Sequence, residues 1–328
     1  MNYKTTFFTL PDEGIWKGDQ SFAPYLFTED IAITVDIALA TERPLLISGP
    51  PGCGKTTLAQ ALAGMERKSF LKHTLTSRSR LEDLTAGIDQ LQRLHDAHAA
   101  AAGGDDNKLL DEWVYQNPGL FWWAFEKQSA YRRGGNIEDV TKFEKQNRFR
   151  RPEYPGLEGE TPGLVILLDE IDKAEPDLPN DLLEPLDSRR FTTPTGREIK
   201  APASEELQIL CVITTNSERE LPPAFLRRCV SLELDSPDVE TLIDIADYHV
   251  RNMPGKIESN PDLYTEVAKK FQDIQKESKD LQRRPPGTSE YLDAVKACLK
   301  LGLNPGDKHL WPQIESATLR KQRNENGK

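Results

Sequence analysis

A short glycine-rich segment places the strongest constraint on how this chain can fold. Residues 49–56, GPPGCGKT, match the pattern G-x-x-x-x-G-K-[ST]. The apolar run 45–48 precedes the segment, and a helical pattern over 56–65 follows it. A strand, a phosphate-binding loop and a helix in this order predict an α/β fold with a nucleotide site at the carboxyl end of the strand.

The residue types of this loop match the chemistry of a nucleotide phosphate. Glycines let backbone N–H groups curve around a phosphate, and the N-terminus of the following helix favours negative charge. Lys55 is expected to reach the β- and γ-phosphates, and Thr56 to offer its hydroxyl to Mg²⁺. A glycine-rich turn without a ligand is the alternative, but it does not account for the Lys-Thr pair. The predicted ligands are a nucleotide and Mg²⁺, and the predicted binding residues are Gly49, Pro50, Pro51, Gly52, Cys53, Gly54, Lys55, Thr56 and Thr57.

Two further apolar runs end in polar side chains. The run 163–168 leads into Asp169 and Glu170, and the run 207–214 leads into Thr215 and Asn216. Continuous apolar runs of this kind are typical of buried parallel strands. Asp169 is predicted to bind Mg²⁺ with Thr56, and Glu170 to polarise an attacking water, whereas a solvated turn is the alternative for the acidic pair.

Four segments occur along the chain in a characteristic order: GPPGCGKT, LVILLDEIDKAEPDLPNDLLEPLDSRRF, ITTN and LPPAFLRRC. In the order and the sequence of these segments the chain resembles AAA+ ATPases, and most of all their MoxR-like subfamily, over most of 45–235. The resemblance implies an α/β fold: a P-loop AAA+ core with a central parallel sheet flanked by helices, followed by a small all-helical lid domain. It also implies a homo-oligomeric ring, usually a hexamer, in which a neighbouring subunit completes each site.

The resemblance assigns further roles. Asn216 matches the polar sensor-1 residue that orients the water. Arg228 matches the arginine finger, with Arg227 as the adjacent candidate and a surface basic pair as the alternative. Arg284, in the segment RRPPGTSEYL, is the candidate for sensor 2. Residues 25–27 lie where the family places adenine contacts, although an aromatic core is equally compatible with them.

The order of motifs also predicts the domain organisation. Helical patterns occur over 238–253, 260–279 and 288–301, after a boundary near Asp235. The predicted domains are a nucleotide-binding domain over 1–235, with insertions at about 91–112 and 127–161, a helical lid over 236–310, and a charged C-terminal tail over 311–328.

Two segments outside these motifs have open interpretations. Residues 121–154 carry eight Lys and Arg against five acids, with aromatic residues interleaved. This segment could bind nucleic acid, dock a protein partner, or form core with a solvated face. Residues 194–198, PTGRE, predict a turn where rings of this type carry a hairpin near the central pore, with Arg197 as a hypothetical substrate contact.

The overall composition limits the cellular setting. The net charge of −11 weighs against a general nucleic-acid binder, and no apolar run approaches the roughly 18 residues of a membrane span. A cytoplasmic protein without membrane association is therefore expected. The four cysteines are scattered and predict reduced thiols, and His95 with His98 lacks a third metal ligand. Helix N-termini lower thiol pKa values, so oxidation of Cys53 would in principle block nucleotide binding.

The function predicted on these grounds is Mg²⁺-dependent ATP hydrolysis that remodels, matures or activates a protein partner. By resemblance, the partner would be a separate protein with a von Willebrand A domain. One alternative is a nucleotide-gated scaffold or switch with slow hydrolysis. Another is a DNA-directed motor of a restriction or defence system, for which segment 121–154 is the only internal support.

Overall fold

A computed structural model describes residues 3–11, 14–102, 109–146, 148–157, 162–203, 206–253, 258–281, 283–303, 305–307 and 309–320. Within these ranges the strands are β1 (Ile15–Trp16), β2 (Tyr25–Leu26), β3 (Leu45–Ser48), β4 (Ser69–Thr74), β5 (Ala86–Ile88), β6 (Gln116–Pro118), β7 (Gly163–Asp169), β8 (Arg190–Thr192), β9 (Glu198–Lys200), β10 (Gln208–Thr215) and β11 (Val230–Glu233). The α-helices are α1 (Glu29–Thr41), α2 (Lys55–Met65), α3 (Leu81–Leu84), α4 (Gln90–Ala102), α5 (Leu120–Phe125), α6 (Lys127–Tyr131), α7 (Ile137–Lys145), α8 (Leu178–Asp181), α9 (Leu183–Asp187), α10 (Pro223–Leu226), α11 (Val239–Arg251), α12 (Pro261–Asp280), α13 (Thr288–Leu301) and α14 (Trp311–Thr318).

A five-stranded parallel sheet forms the centre of the fold. Its strand order is β11-β3-β10-β7-β4, and every neighbouring pair is parallel. The apolar runs that predict strands coincide with β3, β7 and β10, and all seven residues of β7 are buried. The predicted α/β class, with a central parallel sheet flanked by helices, is therefore confirmed.

Alternating side chains of the sheet enter two separate cores. Val165 and Leu167 of β7 pack on the face covered by α1 and α2, whereas Leu164, Ile166 and Leu168 pack on the face covered by α5, α8 and α9. Helix α1 begins after Thr28, whose hydroxyl accepts the N–H of Ile31 at 3.3 Å, as an N-cap residue does. Helix α2, which follows the P-loop, thus packs on the face of the sheet that carries the odd-numbered residues of β7.

The C-terminal helices α11 to α14 have a third core of their own. The prediction of a charged tail over 311–328 is wrong for its first part, because α14 buries Trp311 and Ile314 in this core. Leu319, just after the helix, is buried in the same core. The apolar positions Trp311 and Ile314 are spaced i, i+3, and the charged residues that follow them obscured this short helical pattern. Residues 321–328 lie outside the described residues.

The two segments predicted as insertions form part of the first domain. Strand β5 pairs antiparallel with β6, and α4 lies between them in the chain. In the segment 127–161, Ala130 and Leu157 are buried in the same core as β7. Residues 103–108 and 158–161 of these predicted insertions lie outside the described residues. Among the helices described, none combines the length and apolar character needed to cross a bilayer.

Candidate functional site

The loop between β3 and α2 has the backbone of a phosphate cradle. Gly49, Gly52 and Gly54 all have positive φ, at 149°, 81° and 99°, which favours glycine. A Cβ on Gly49 would lie 2.3 Å from the carbonyl oxygen of Leu234, so this position has no room for a side chain. The buried Lys55 ammonium donates to the carbonyl oxygens of Gly49, at 2.7 Å, and Pro50, at 3.0 Å. The lysine thus lies directly under the loop.

The carboxylate of Asp169, at the carboxyl end of β7, is contacted by several hydrogen-bond donors. Its Oδ1 accepts the Thr214 hydroxyl at 2.6 Å and the Thr56 hydroxyl at 3.3 Å, and its Oδ2 pairs with Lys72 Nζ at 2.7 Å. Burial opposes ionisation of Asp169, but the bonds from Lys72 and Thr214 outweigh it and hold its pKa below the ordinary value. The carboxylate is therefore ionised at neutral pH.

Glu170 has a left-handed backbone conformation, with φ 63° and ψ 54°. This conformation costs about 1 kcal/mol or more in a residue other than glycine, so the surroundings must hold it in place. The Glu170 N–H donates to the Thr214 hydroxyl at 2.9 Å, and its carboxylate accepts Lys173 Nζ at 2.9 Å. The carboxylate is thereby turned toward the loop that follows β10.

Asn216 connects the lysine of the P-loop with the glutamate of β7. Its Oδ1 accepts Lys55 Nζ at 2.9 Å, and its Nδ2 donates to Glu170 Oε1 at 3.3 Å. The buried Asp172 carboxylate holds the Asn216 loop by accepting the N–H groups of Asn216, at 3.2 Å, and Glu218, at 3.0 Å. Five residues selected from the sequence therefore meet in one site: Lys55, Thr56, Asp169, Glu170 and Asn216.

Four residues that contact this site were not selected from the sequence: Lys72, Asp172, Lys173 and Thr214. Asp172, Lys173 and Thr214 lie inside the motifs, where the spacing from Glu170 and Asn216 was the available signal. Lys72 lies outside every motif, and pairing of β4 with β7 is what brings it to Asp169.

The donor set fits Mg²⁺ and a nucleotide. Mg²⁺ prefers hard oxygen ligands, and the Thr56 hydroxyl and the Asp169 carboxylate lie side by side. The loop glycines, the buried Lys55 and the N-terminus of the eleven-residue helix α2 favour a phosphate. Within the described residues no group of three or more His, Cys, Asp or Glu side chains forms another candidate metal site.

A cavity of about 480 Å³ extends from the P-loop between the two domains. Tyr25 and Leu26 line it, which is compatible with the expected adenine contacts. Phe27 is buried in the core instead and matches the interpretation as aromatic core. His249 of α11 also lines the cavity, and burial together with the charge of Lys296 lowers its pKa to about 4. The cavity wall is therefore neutral at His249 near pH 7.

The start of α13 packs directly on the P-loop. The Thr288 N–H donates to the Gly52 carbonyl at 2.9 Å, and a Cβ on Gly287 would lie 2.4 Å from the Pro51 carbonyl oxygen. Arg284 lies just before this contact, but its side chain is exposed and has no hydrogen bond or ion pair among the contacts of the described residues. The structure thus brings α13 to the site without bringing the Arg284 guanidinium there.

The arginine pair lies at the other end of the sheet. Arg227 and Arg228 precede β11, and Val230 of β11 is opposite Leu45, the first residue of β3, whereas the P-loop follows the last residue of β3. Arg228 pairs with Asp187 at 3.2 Å, while no described residue lies within hydrogen-bond distance of the exposed Arg227 guanidinium. The structure does not bring either arginine to the P-loop of its own chain.

The segment 121–154 buries most of its aromatic side chains, whereas Tyr131, Phe143 and Tyr154 are partly buried. Phe121, Trp122, Trp123 and Phe125 are each at most 7% exposed, so they are unavailable for stacking on bases. These residues match the interpretation of the segment as core.

The hairpin of β8 and β9 confirms the predicted turn around 194–198. Its Arg197 donates to the Gly134 carbonyl at 3.2 Å and pairs with Glu126 at 3.1 Å. Arg197 therefore holds the hairpin against the body of the domain.

The cysteines remain free thiols, as predicted. The expectation of a lowered pKa for Cys53 is wrong: burial raises it, and this outweighs the opposing effect of the Lys55 charge. A half-buried thiol at this position is therefore protonated at neutral pH.

The fold and the site define a nucleotide-binding α/β protein with a helical lid. The AAA domain of the dynein-related subfamily matches residues 44–229, more than half of the chain, and the chain belongs to this family. It is similar to the Lon protease of Chloroflexus aurantiacus, with 24% identity over 254 residues, which are 75% of this chain and 24% of that protein. It is also similar to the mitochondrial chaperone protein ClpB4 of Arabidopsis thaliana, with 29% identity over 160 residues, which are 48% of this chain and 12% of that protein. The chain thus spans a quarter or less of the length of these relatives, and membership of the AAA+ family supports a nucleotide-dependent activity.

Proposed function

We propose that this chain is a Mg²⁺-dependent ATPase. The observation that carries the proposal is the Asn216 side chain, whose two ends contact the P-loop lysine and Glu170. Lys55, Glu170 and Asn216 follow three different strands of the sheet. Neither a solvated turn nor a structural glycine loop would require an amide between that lysine and that carboxylate. The arrangement supports the proposal because the groups proposed to bind phosphate, hold the metal and activate water are in mutual contact.

Each residue has a distinct part in the proposed reaction. Bound ATP supplies the phosphoanhydride bond, and Mg²⁺ neutralises charge on the phosphates. Thr56 and Asp169 hold the metal, and Lys55 contacts the phosphates. Glu170 accepts a proton from the attacking water, and Asn216 holds that carboxylate at a fixed distance from Lys55.

An arginine from a neighbouring subunit completes the proposed site. The support is that Arg227 and Arg228 lie at the opposite end of β3 from the P-loop. The four residues of β3 rise about 3.3 Å each, so the two ends of the strand are separated by more than the length of an arginine side chain. Arg228 has the better family match, whereas the Arg227 guanidinium has fewer contacts. The exposed ion pair between Arg228 and Asp187 contributes at most about 1 kcal/mol, so Arg228 can leave Asp187 at little cost.

The finer functional assignment rests on the sequence resemblance. We infer a MoxR-like ring that is hexameric by that resemblance, is located in the cytoplasm and acts on a separate protein that carries a von Willebrand A domain. A nucleotide-gated scaffold with slow hydrolysis is the second candidate, because the same site would serve it. The DNA-directed motor has less internal support, since Phe121, Trp122, Trp123, Phe125 and Phe149 of 121–154 are buried.

Two variants test the ATPase. Lys55→Ala is expected to weaken ATP binding at least ten-fold, because it removes the buried ammonium under the loop. Glu170→Gln is expected to bind ATP normally and to lose hydrolysis about 100-fold, a typical contribution of a general base. Calorimetric binding and phosphate release measure these effects, with Lys270→Ala, on the exposed side of α12, as the control. ATP binding by Lys55→Ala at wild-type affinity would exclude the proposed site.

The Glu170→Gln protein also separates the two candidate functions. A remodelling ATPase is expected to retain its protein partner in the presence of ATP and to lose cellular function. A scaffold is expected to remain functional, because ATP binding alone would maintain its active state.

A further inference from the structure

Lys72 lies beside the nucleotide site but belongs to none of its motifs. Strand β4 pairs in parallel with β7, with Lys72 opposite Leu167 and Thr74 opposite Asp169. Phe70, two residues before Lys72, packs in the core on the α2 face of the sheet, and Leu167 of β7 lies in that same core. Side chains two residues apart on a strand share a face, so Lys72, Asp169 and α2 are on the same side of the sheet.

The Lys72 ammonium contacts the carboxylate that is proposed to bind the metal. Lys72 Nζ lies 2.7 Å from Asp169 Oδ2, and no other acidic side chain in the described ranges lies within ion-pair distance of it. The opposite oxygen, Oδ1, accepts the Thr214 hydroxyl, and the Thr56 hydroxyl lies 3.3 Å from Oδ1 and 3.4 Å from Oδ2. The lysine is therefore the closest of these contacts to Oδ2, at the end of the carboxylate away from Thr214.

The two partners of this ion pair differ in exposure. The Asp169 side chain is 12% exposed and is held by Thr214, whereas the Lys72 side chain is 38% exposed. A lysine has a flexible four-carbon stem and is readily hydrated, so Lys72 can move toward solvent while Asp169 stays in place. The pair thus joins a fixed anion to a displaceable cation.

A divalent cation and an ammonium group disfavour each other at one carboxylate. Mg²⁺ needs lone pairs of the carboxylate, and two positive charges a few ångströms apart repel. We propose that Lys72 and the nucleotide-associated Mg²⁺ compete for Asp169, so that Lys72 sets the Mg²⁺ concentration at which the nucleotide is held as its metal complex. Lys72 is then a positioning residue that acts through Asp169. This inference rests on the proposed function, because it takes Asp169 as the metal-binding carboxylate.

The competition predicts a gain in metal affinity when the charge is removed. In Lys72→Met, a side chain of similar length replaces the ammonium, and the metal no longer displaces a cation. We expect the dissociation constant for the metal to fall about five-fold, as for loss of one partly screened charge interaction. Lys72→Arg keeps the charge and is expected to stay within about two-fold of the wild type, as is Lys270→Met, the control far from the site in sequence and exposed on α12.

The experiment uses the full chain, with Mn²⁺ as a paramagnetic probe for Mg²⁺. Bound Mn²⁺ is titrated by electron paramagnetic resonance in the presence of saturating ADP, and ADP binding without metal is measured in parallel by calorimetry. Unchanged or weaker Mn²⁺ binding by Lys72→Met would overturn the inference. Weaker ADP binding by Lys72→Met without metal would also overturn it, because Lys72 would then act on the phosphates.

Two further arms keep the result interpretable. If Lys72→Met fails to fold by circular dichroism, Lys72→Gln tests the same loss of charge with a polar side chain. If the wild type does not bind ADP with either metal, the proposed nucleotide site fails. If the wild type binds ADP and Mn²⁺ but the neutral variants match it, the proposed ATPase stands and only the role of Lys72 falls.

Discussion

The Thr214 hydroxyl fixes both acidic residues of the site. It donates to Asp169 Oδ1 and accepts the N–H of Glu170. The Thr214 oxygen uses a lone pair to accept the Glu170 N–H, so its single proton remains for the hydrogen bond to Asp169. The left-handed backbone of Glu170 is thus stabilised by a bond that also orients the neighbouring carboxylate. One hydroxyl thereby links the two groups that we propose to bind the metal and to activate water.

His249 gives the stability of the protein a specific pH dependence. Its pKa is lowered to about 4, so the unfolded chain takes up a proton near the ordinary value of about 6.5 while the folded chain does not. The free energy of unfolding should therefore fall as the pH decreases from about 6.5 toward 4. Between pH 7 and pH 5, we expect the wild type to lose about 1–2 kcal/mol more than His249→Gln.

Urea unfolding at the two pH values measures this difference. His95→Gln, at an exposed position of α4, is the control and is expected to follow the wild type. Equal pH dependence in the wild type and His249→Gln would show that His249 is not kept neutral by the fold.

The sequence identified the site residues that lie in contiguous motifs and missed those that depend on contacts across the sheet. Lys55 and Thr56 are recognisable because one loop fixes their spacing. Thr214 contacts Asp169 from 45 residues away, and inside an apolar strand a threonine looks like any β-branched residue. Lys72 reaches Asp169 through a strand order that is not encoded by local periodicity.

The contact between α13 and the P-loop predicts that the lid affects nucleotide binding. A Cβ at residue 287 would meet two backbone atoms, the Pro51 oxygen at 2.4 Å and the Gly52 Cα at 2.7 Å. Gly287→Ala must therefore move α13 away from the loop and lengthen the bond from Thr288 to Gly52. We expect about ten-fold weaker ADP binding, equivalent to about 1.4 kcal/mol, with little change in helix content.

Calorimetry and circular dichroism test this expectation. Gly87→Ala is the matched control, because its Cβ would approach nothing closer than 3.8 Å. Unaltered ADP affinity in Gly287→Ala would mean that α13 and the loop do not act together.

The secondary structure was predictable where the apolar pattern is long. The helices at 239–251, 261–280 and 288–301 agree with the expected 238–253, 260–279 and 288–301 within two residues. Helix α14 was missed because eight residues contain little more than two turns, and its stabilisation comes from the core of the other helices. The predicted insertion boundaries stay predictions, although the described parts pack into the domain.

An arginine acting between subunits would make hydrolysis depend on assembly. Arg228→Ala is expected to retain ATP binding and to lose at least about 100-fold in phosphate release, since such arginines contribute several powers of ten. Arg227→Ala is the matched comparison at the adjacent position. Mixing Arg228→Ala with Glu170→Gln protein should restore part of the activity, because some interfaces then combine an intact arginine with an intact glutamate.

The mixing experiment is read by phosphate release at fixed total protein. Loss of activity in Arg227→Ala alone would transfer the role to that residue. Activity of the mixture no greater than the sum of its components would indicate that the site is complete within one chain.

The position of the arginines at one end of the sheet and of the P-loop at the other restricts how copies can associate. In a two-fold symmetric pair the same patch faces itself, so an arginine could enter the partner's site reciprocally only if both lay on one side of the molecule. Here they lie at opposite ends of β3. A site shared by stacking one copy on the next would therefore use head-to-tail, heterologous contacts, in which each copy presents its arginine end to the next copy's loop end. Such contacts close only through rotation about a common axis, or else continue as an open helix.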